Sequence, residues 1–281
     1  MSRLVSSSKP GPSAPSLFIC VALGNSAVLH LQILRMHPQK KHTINMRGGF
    51  RMRVKGVLID FGDTLAYVDK RNNKKYVEGL LSILKNHGCQ RNVDDLNLRL
   101  SGLYYESSKG LIRSHERFWE SLLASLDMPV DPRVVNELEA FREQNYATMF
   151  KLYEDVLPVL SGLHQKYRLA LVSNCAVGLL QAIKTLGIAD FFDAIVLSYD
   201  VGARKPDKCI YVEATRRIQL DTGKCMFVSD EISDLEGANE LGMKTLLVHQ
   251  GSSADPDAKN PNFTPTFQCN HIGEIAKFLL Q

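Results

Sequence analysis

Val57-Leu58-Ile59-Asp60-Phe61-Gly62-Asp63-Thr64-Leu65 is the stretch on which the reading of this chain turns. It continues Val54-Lys55-Gly56 as a short, β-rich apolar run that stops abruptly at Asp60. Such a run, closed by an acid and a glycine, reads as a buried strand that delivers a carboxylate at its carboxyl end. Four further short apolar runs follow at residues 169–172, 194–197, 226–228 and 245–248. Helical-length segments such as 177–186, 210–218 and 235–241 separate them. Strands alternating with helices predict an α/β fold, a Rossmann-like parallel sheet with helices on both faces. Gly187 and Gly242 stand where helices should end, and are expected to serve as left-handed caps.

Residues 66–156 contain no strand-like run. Segments 74–87, 93–106, 114–126 and 132–151 instead carry apolar residues at i, i+3, i+4 spacing. Phe118, Leu122 and Leu126 share one face with Trp119 beside them, and Asp131-Pro132 reads as a cap followed by proline in the first turn. A crossover of this length is a unit of its own. The expected organisation is therefore a leader at 1–52, an α/β core from 53–65 and 157–281, and an α-helical cap at 66–156.

Charge separates the leader from the rest. Before Asp60 there are nine Lys and Arg and no Asp or Glu, which leaves 25 basic against 30 acidic residues downstream. The overall charge of +4 thus comes from the leader, and the folded part is mildly acidic with no basic stripe, which argues against nucleic acid as a partner. Residues 17–34 are apolar but interrupted by Gly24, Asn25, Ser26, His30 and Gln32, too polar for a membrane span. The leader reads as disordered or absent from the mature protein, with Met46 and Met52 as sensible start points. A signal peptide or mitochondrial-type presequence is the alternative. Six cysteines without a CxxC pair suggest neither a zinc site nor a disulfide framework, and a reduced, cytoplasmic setting is expected. Oligomeric state leaves no signal.

Ligands bind at the carboxyl ends of parallel strands. Asp60 follows the first run, with Gly62, Asp63 and Thr64 close behind. Ser173 and Asn174 close the second, Lys205 lies in the loop after the third, and Ser229-Asp230 close the fourth, with Asp234 beyond. Each alone has a plainer explanation, since an Asp after a strand is usually a turn or cap residue. Together, two carboxylates and a carbonyl suit a hard divalent cation such as Mg2+, and a lysine and hydroxyls suit phosphate oxygens.

This set resembles the haloacid-dehalogenase-like hydrolase superfamily. Its first motif, hhhhDxDGT, is similar to residues 57–65, and its second, a strand closing in Ser or Thr, to Leu171-Val172-Ser173-Asn174. Its third, VGxxKPD, resembles Val201-Gly202-Ala203-Arg204-Lys205-Pro206-Asp207. Its fourth resembles residues 229–243, where Asp230, Asp234, Gly237, Ala238, Gly242 and Met243 match. The resemblance implies that Asp60 is the nucleophile of an aspartyl-phosphate route, and that Mg2+ sits on Asp60, the carbonyl of Gly62 and Asp230. Asp234 would hold a metal-bound water or Lys205, while Thr64, Ser173, Asn174 and Lys205 would meet the phosphoryl group of a small phosphorylated metabolite.

One departure matters. Phosphatases of the superfamily usually carry an acid two positions after the nucleophile, where this chain has Gly62, with the carboxylate one place on at Asp63. Three expectations follow: a phosphomonoesterase in which Asp63 transfers the proton, a dehalogenase-type hydrolase that needs no such proton, or a catalytically weak phospho-ligand-binding module. Asp230 favours the first. In the cap, Tyr104, Tyr105, Arg113, Arg117 and Trp119 are the residues to inspect, although helical spacing makes Trp119 core and Arg113 and Arg117 a solvated face. Tyr67, in the hinge, is expected to border the ligand cleft.

Overall fold

A computed structural model describes residues 54–250 and 263–280. The leader at 1–52 lies outside them. In chain order the elements are β1 (Gly56–Ile59), β2 (Ala66–Val68), α1 (Lys70–Asn86), α2 (Val93–Ser108), α3 (His115–Ser125), α4 (Pro132–Asn145), β3 (Phe150–Leu152), α5 (Val156–His164) and β4 (Arg168–Ser173). They continue as α6 (Leu179–Thr185), β5 (Ala194–Leu197), α7 (Ser198–Val201), α8 (Lys208–Arg217), β6 (Cys225–Ser229), α9 (Ile232–Asn239), β7 (Lys244–Val248), β8 (Phe267–Cys269) and α10 (Ala276–Leu279).

Six strands form one parallel sheet in the order β5–β4–β1–β6–β7–β8. Alternation within each strand explains the two faces. Val57 and Ile59 of β1 join one buried cluster while Leu58 joins the other, and the same holds for Leu169 and Leu171 against Ala170 in β4. Period-two side chains facing apolar partners on both sides is what a buried parallel strand demands, and it is why the sequence reads as continuous apolar runs. The chain moves outward from β4 to β5, then crosses β1 to begin β6. The order therefore reverses beside β1, and a crevice opens at the carboxyl ends of β1, β4 and β6.

The expected strand-free crossover needs correcting. Ala66–Val68 and Phe150–Leu152 pair antiparallel, with Ala66 opposite Leu152 and Val68 opposite Phe150. They form a two-stranded hinge that brackets the four inserted helices. The helix expected over 132–151 accordingly stops at Asn145 and passes through a 3-10 turn, Tyr146–Met149, into the hinge. Three-residue strands carry too little periodicity to be seen against helical neighbours. The sixth strand, β8, is equally short and also has no counterpart in the sequence reading. Asp131 caps α4 by accepting from Arg133 N, with Pro132 in the first turn, and Gly187 and Gly242 adopt positive φ at helix ends. No described helix is long and apolar enough to cross a membrane.

The insert is held by a polar hub. Glu139 accepts hydrogen bonds from Arg142 Nε and Nη2 at 2.8 and 2.7 Å and from Trp119 Nε1 at 2.8 Å, and His115 Nδ1 lies 2.9 Å away. Burial alone would raise the Glu139 pKa, but hydrogen bonds from His115, Arg142 and Trp119 hold it well below the usual carboxylate range. Trp119 is thus core with a satisfied indole. Arg142 is only 6% exposed, so Glu139→Gln strands most of a buried positive charge. The expected cost is about 3 kcal/mol, read from urea unfolding at pH 7. A carboxylate whose folded pKa is depressed stabilises above its unfolded value and stops doing so as pH falls. The gap between wild type and variant should therefore close well below pH 4. A variant with wild-type stability at pH 7 would remove the hub from the account.

Candidate active site

β1 ends at Ile59 and places Asp60 at the mouth of the crevice. There Asp60 Oδ1 accepts from the Phe61 backbone N–H at 2.7 Å and from the Lys205 ammonium at 2.7 Å. Ser229, the last residue of β6, sets its hydroxyl 3.5 Å from Asp60 Oδ2. Lys205 is 1% exposed and bridges to Asp234 Oδ2 at 2.8 Å. A lysine so buried is tolerable only between carboxylates, and their charges raise its pKa against the burial that would lower it.

Several residues act by holding these. Asn174 accepts from Lys205 N at 2.8 Å through Oδ1 and donates to Lys205 O at 3.0 Å through Nδ2, so the end of β4 clamps the lysine's backbone. The Tyr211 hydroxyl donates to the Asp234 carbonyl at 2.7 Å. Gly237 in α9 lets the Lys205-Pro206 loop approach, because a Cβ there would lie 2.4 Å from Pro206 O. Thr64 is fully buried and does not line the cavity, so its expected contact with substrate is corrected. Its hydroxyl donates to Asp230 Oδ1 and accepts from Asp230 N, both at 3.1 Å, and so aims that carboxylate.

One cavity of about 590 Å3 joins the site, a size at which roughly drug-sized ligands fit. Asp60, Gly62 and Asp63 line it from the first motif, Ser173 and Asn174 from β4, and Lys205, Asp230 and Asp234 from the later loops. The inserted helices contribute Tyr104 and Tyr105. Arg113, Arg117, Trp119 and Tyr67 lie outside the lining. Arg113 donates to Gly110 O, Arg117 pairs with Glu120 at the surface, and Tyr67 packs at a tilt against Tyr153 with ring centroids 5.0 Å apart, which corrects its expected place at the ligand cleft.

Charge in the cavity is unbalanced. Asp60, Asp63, Asp230, Glu231 and Asp234 line it, and among the described residues the cations in the lining are the buried Lys205, which pairs with Asp60 and Asp234, and the more open Lys109 and Arg204. Burial, partly offset by Lys205, raises Asp60 to about 6. Burial together with the charges of Asp60 and Asp63 raises Asp230 to about 8. These are carboxylates short of positive charge. Among the described residues no three His, Cys, Asp or Glu side chains cluster as a metal cage. The donors available are the oxygens of Asp60 and Asp230 with the backbone of Gly62, a set that fits Mg2+, which keeps much of its own water.

Sequence reasoning missed Tyr153. Its hydroxyl hydrogen-bonds Asp63, whose pKa burial raises and this bond lowers. Recognising β3 would have placed Tyr153 at the end of a hinge strand, beside the first motif.

An open parallel sheet with an acidic crevice where its strand order reverses defines an α/β enzyme of the Rossmann-like class. The chain belongs to the haloacid dehalogenase-like hydrolase family, whose description matches residues 54–242. It is 27% identical over 226 residues to the glyceraldehyde 3-phosphate phosphatase of Methanopyrus kandleri, covering 79% of this chain and 95% of that one. Among solved structures, the 2-haloacid dehalogenase of Pseudomonas syringae matches with TM-score 0.64 at 22% identity, over 81% of this chain and 98% of that one. A family enzyme of Bacteroides thetaiotaomicron in complex with magnesium and inorganic phosphate matches with TM-score 0.54 at 21% identity, over 73% and 100%. At those identities the two structures speak for the fold alone.

Proposed function

We propose that the protein is a Mg2+-dependent phosphatase of small phosphorylated metabolites, working through a phosphoryl group carried transiently on Asp60. The observation that carries this reading is the convergence of Asp60, Lys205, Asp230 and Asp234 on one cavity at the strand ends. The phosphatase name of the Methanopyrus relative supports it. Asp60, Gly62 and Asp230 would hold the cation, with Asp234 fixing Lys205 behind them. Bound Mg2+ supplies the positive charge that lets a phosphate dianion approach a carboxylate.

Lys205 and the Ser173 hydroxyl hold the phosphoryl oxygens. An Asp60 oxygen attacks phosphorus, the ester P–O bond breaks, and the leaving oxygen takes a proton from Asp63. Water then attacks phosphorus, Asp63 accepts its proton, the Asp60–phosphorus bond breaks, and phosphate leaves. Asp63 suits this role because burial raises its pKa, which keeps a donor proton available nearer neutrality. Its backbone sits at φ 47°, a left-handed conformation that Asp tolerates better than most residues.

The test of this reading is phosphate release from a phosphomonoester panel with Mg2+ and again after EDTA. Activity should require the cation. Mg2+ at one hundred times its Kd should also stabilise the folded protein by about 2.7 kcal/mol, visible as a rise in Tm. No phosphate from any ester, or halide release from haloacids in EDTA, would defeat it. Asp63→Asn should lower kcat about 100-fold on alkyl phosphates with KM little changed. A harmless Asp63→Asn would leave the proton transfer unassigned.

A further inference from the structure

We infer that the ester this cavity is shaped for carries an aromatic or similarly flat, apolar body. The inference rests on the phosphatase reading above and concerns the part of the substrate that does not react.

The aromatic wall begins next to the nucleophile. Phe61, adjacent to Asp60, meets Phe150 edge-on with ring centroids 5.5 Å apart. Phe150 meets Tyr146 at 5.5 Å, and Tyr146 meets Tyr76 at 5.8 Å. All four residues line the cavity, Phe150 the most open of them and Phe61, Tyr76 and Tyr146 nearly buried, so a chain of aromatic contacts leads from Asp60 through the hinge to the inserted helices. Tyr104, half-buried and packed at a tilt against Phe118 with ring centroids 5.1 Å apart, lines it further along α2, with Leu100 one turn before. No Asp or Glu of the insert lines the cavity; the carboxylates are all on the core side. The insert also lines the cavity with Asn73, Asn97, Ser108 and Lys109, so a polyol would find partners there but not along the faces of the rings. An aromatic body gains edge-to-face and stacked contacts there, worth about 0.5–1.5 kcal/mol per ring pair beyond the area buried.

Size points the same way. A cavity of about 590 Å3 is of the size that takes a drug-sized ligand. A triose phosphate would fill a small part of it and leave the aromatic wall wet. The substrate named for the Methanopyrus relative is therefore not the one this cavity fits best.

The experiment compares kcat/KM, with Mg2+, for benzyl phosphate, phenyl phosphate, glycerol phosphate and glyceraldehyde 3-phosphate. Both aromatic esters should exceed both aliphatic ones by roughly tenfold, the equivalent of one or two ring contacts. The two aromatic arms separate body from leaving group. A gain confined to phenyl phosphate would belong to its better leaving oxygen and would overturn the inference, as would a preference for glyceraldehyde 3-phosphate. Binding of benzylphosphonate against propylphosphonate, measured by calorimetry with Mg2+, reads the body without turnover. Tighter binding of benzylphosphonate is expected, and equal affinity overturns the inference. Should no ester release phosphate, the phosphatase reading fails while the phosphonates still decide the shape of the cavity. In Tyr104→Ala the aromatic preference should shrink several-fold through KM, and an undiminished preference would remove Tyr104 and the inference with it.

Discussion

Asp60→Asn is expected to abolish phosphate release while leaving a folded protein. The amide keeps the shape of the carboxylate but loses its charge, and with it the proposed attack on phosphorus and half of the proposed cation site. Groups that act as a unit fail together when one is removed, so the loss should be about 10^4-fold or more in kcat. Stability should move the other way, or not at all. The Asp60 carboxyl is pushed up to about 6 by burial even with Lys205 2.7 Å away, so the folded protein holds this charge at a cost. A neutral isostere relieves that cost, and Lys205 keeps Asp234. Phosphate release and Tm measured on the same preparation check both halves. A variant that still turns over would show that Asp60 is not the nucleophile.

Lys205→Met is expected to strike activity and stability together. The lysine stands between Asp60 and Asp234, and its removal leaves two buried carboxylates without their shared cation. Breaking such a pair from one side costs about 3–5 kcal/mol, several times the effect of a surface ion pair. For a domain of this size that is a fall in Tm of roughly 6–20 °C. The pH dependence has a definite sign. Asp60 titrates above its unfolded value already and rises further without the lysine. A carboxyl raised in the folded state contributes stability below its unfolded pKa and loses it as pH climbs through the folded one. The variant should therefore sit closer to wild type at pH 5 than at pH 8. Equal stability at pH 8 would mean that the triad is not what holds these strand ends together.

Much of this was legible in the residues. β1, β4, β5, β6 and β7 announce themselves because strands buried on both faces must be apolar at consecutive positions. The residues expected to carry chemistry line one cavity: Asp60, Ser173 and Asp230 stand where such runs end, while Lys205 and Asp234 lie in the segments that follow. The hinge was hidden by its length: Ala66–Val68 and Phe150–Leu152 are strands only because they find each other across the insert. The supporting partners were hidden for a related reason. Nothing local says that Thr64 will hold Asp230, that Asn174 will clamp Lys205, or that Tyr153 will reach Asp63. Thr64 reads as a phosphate ligand from its place in a motif, and only packing shows it facing inward. Tyr67 reads as a cleft residue from its place in the hinge, yet pairing on Tyr153 takes it out of the cavity lining.

The phosphoryl group on residue 60 is the claim from which the rest descends, and it can be looked for directly. Substrate turning over with Mg2+ is quenched in acid, and the peptide containing Asp60 is weighed. A phosphoryl adduct on that peptide, absent without Mg2+ and absent from Asp60→Asn, is the predicted result. Steady turnover with that peptide unmodified, or with the adduct on another residue such as Ser173, would contradict it.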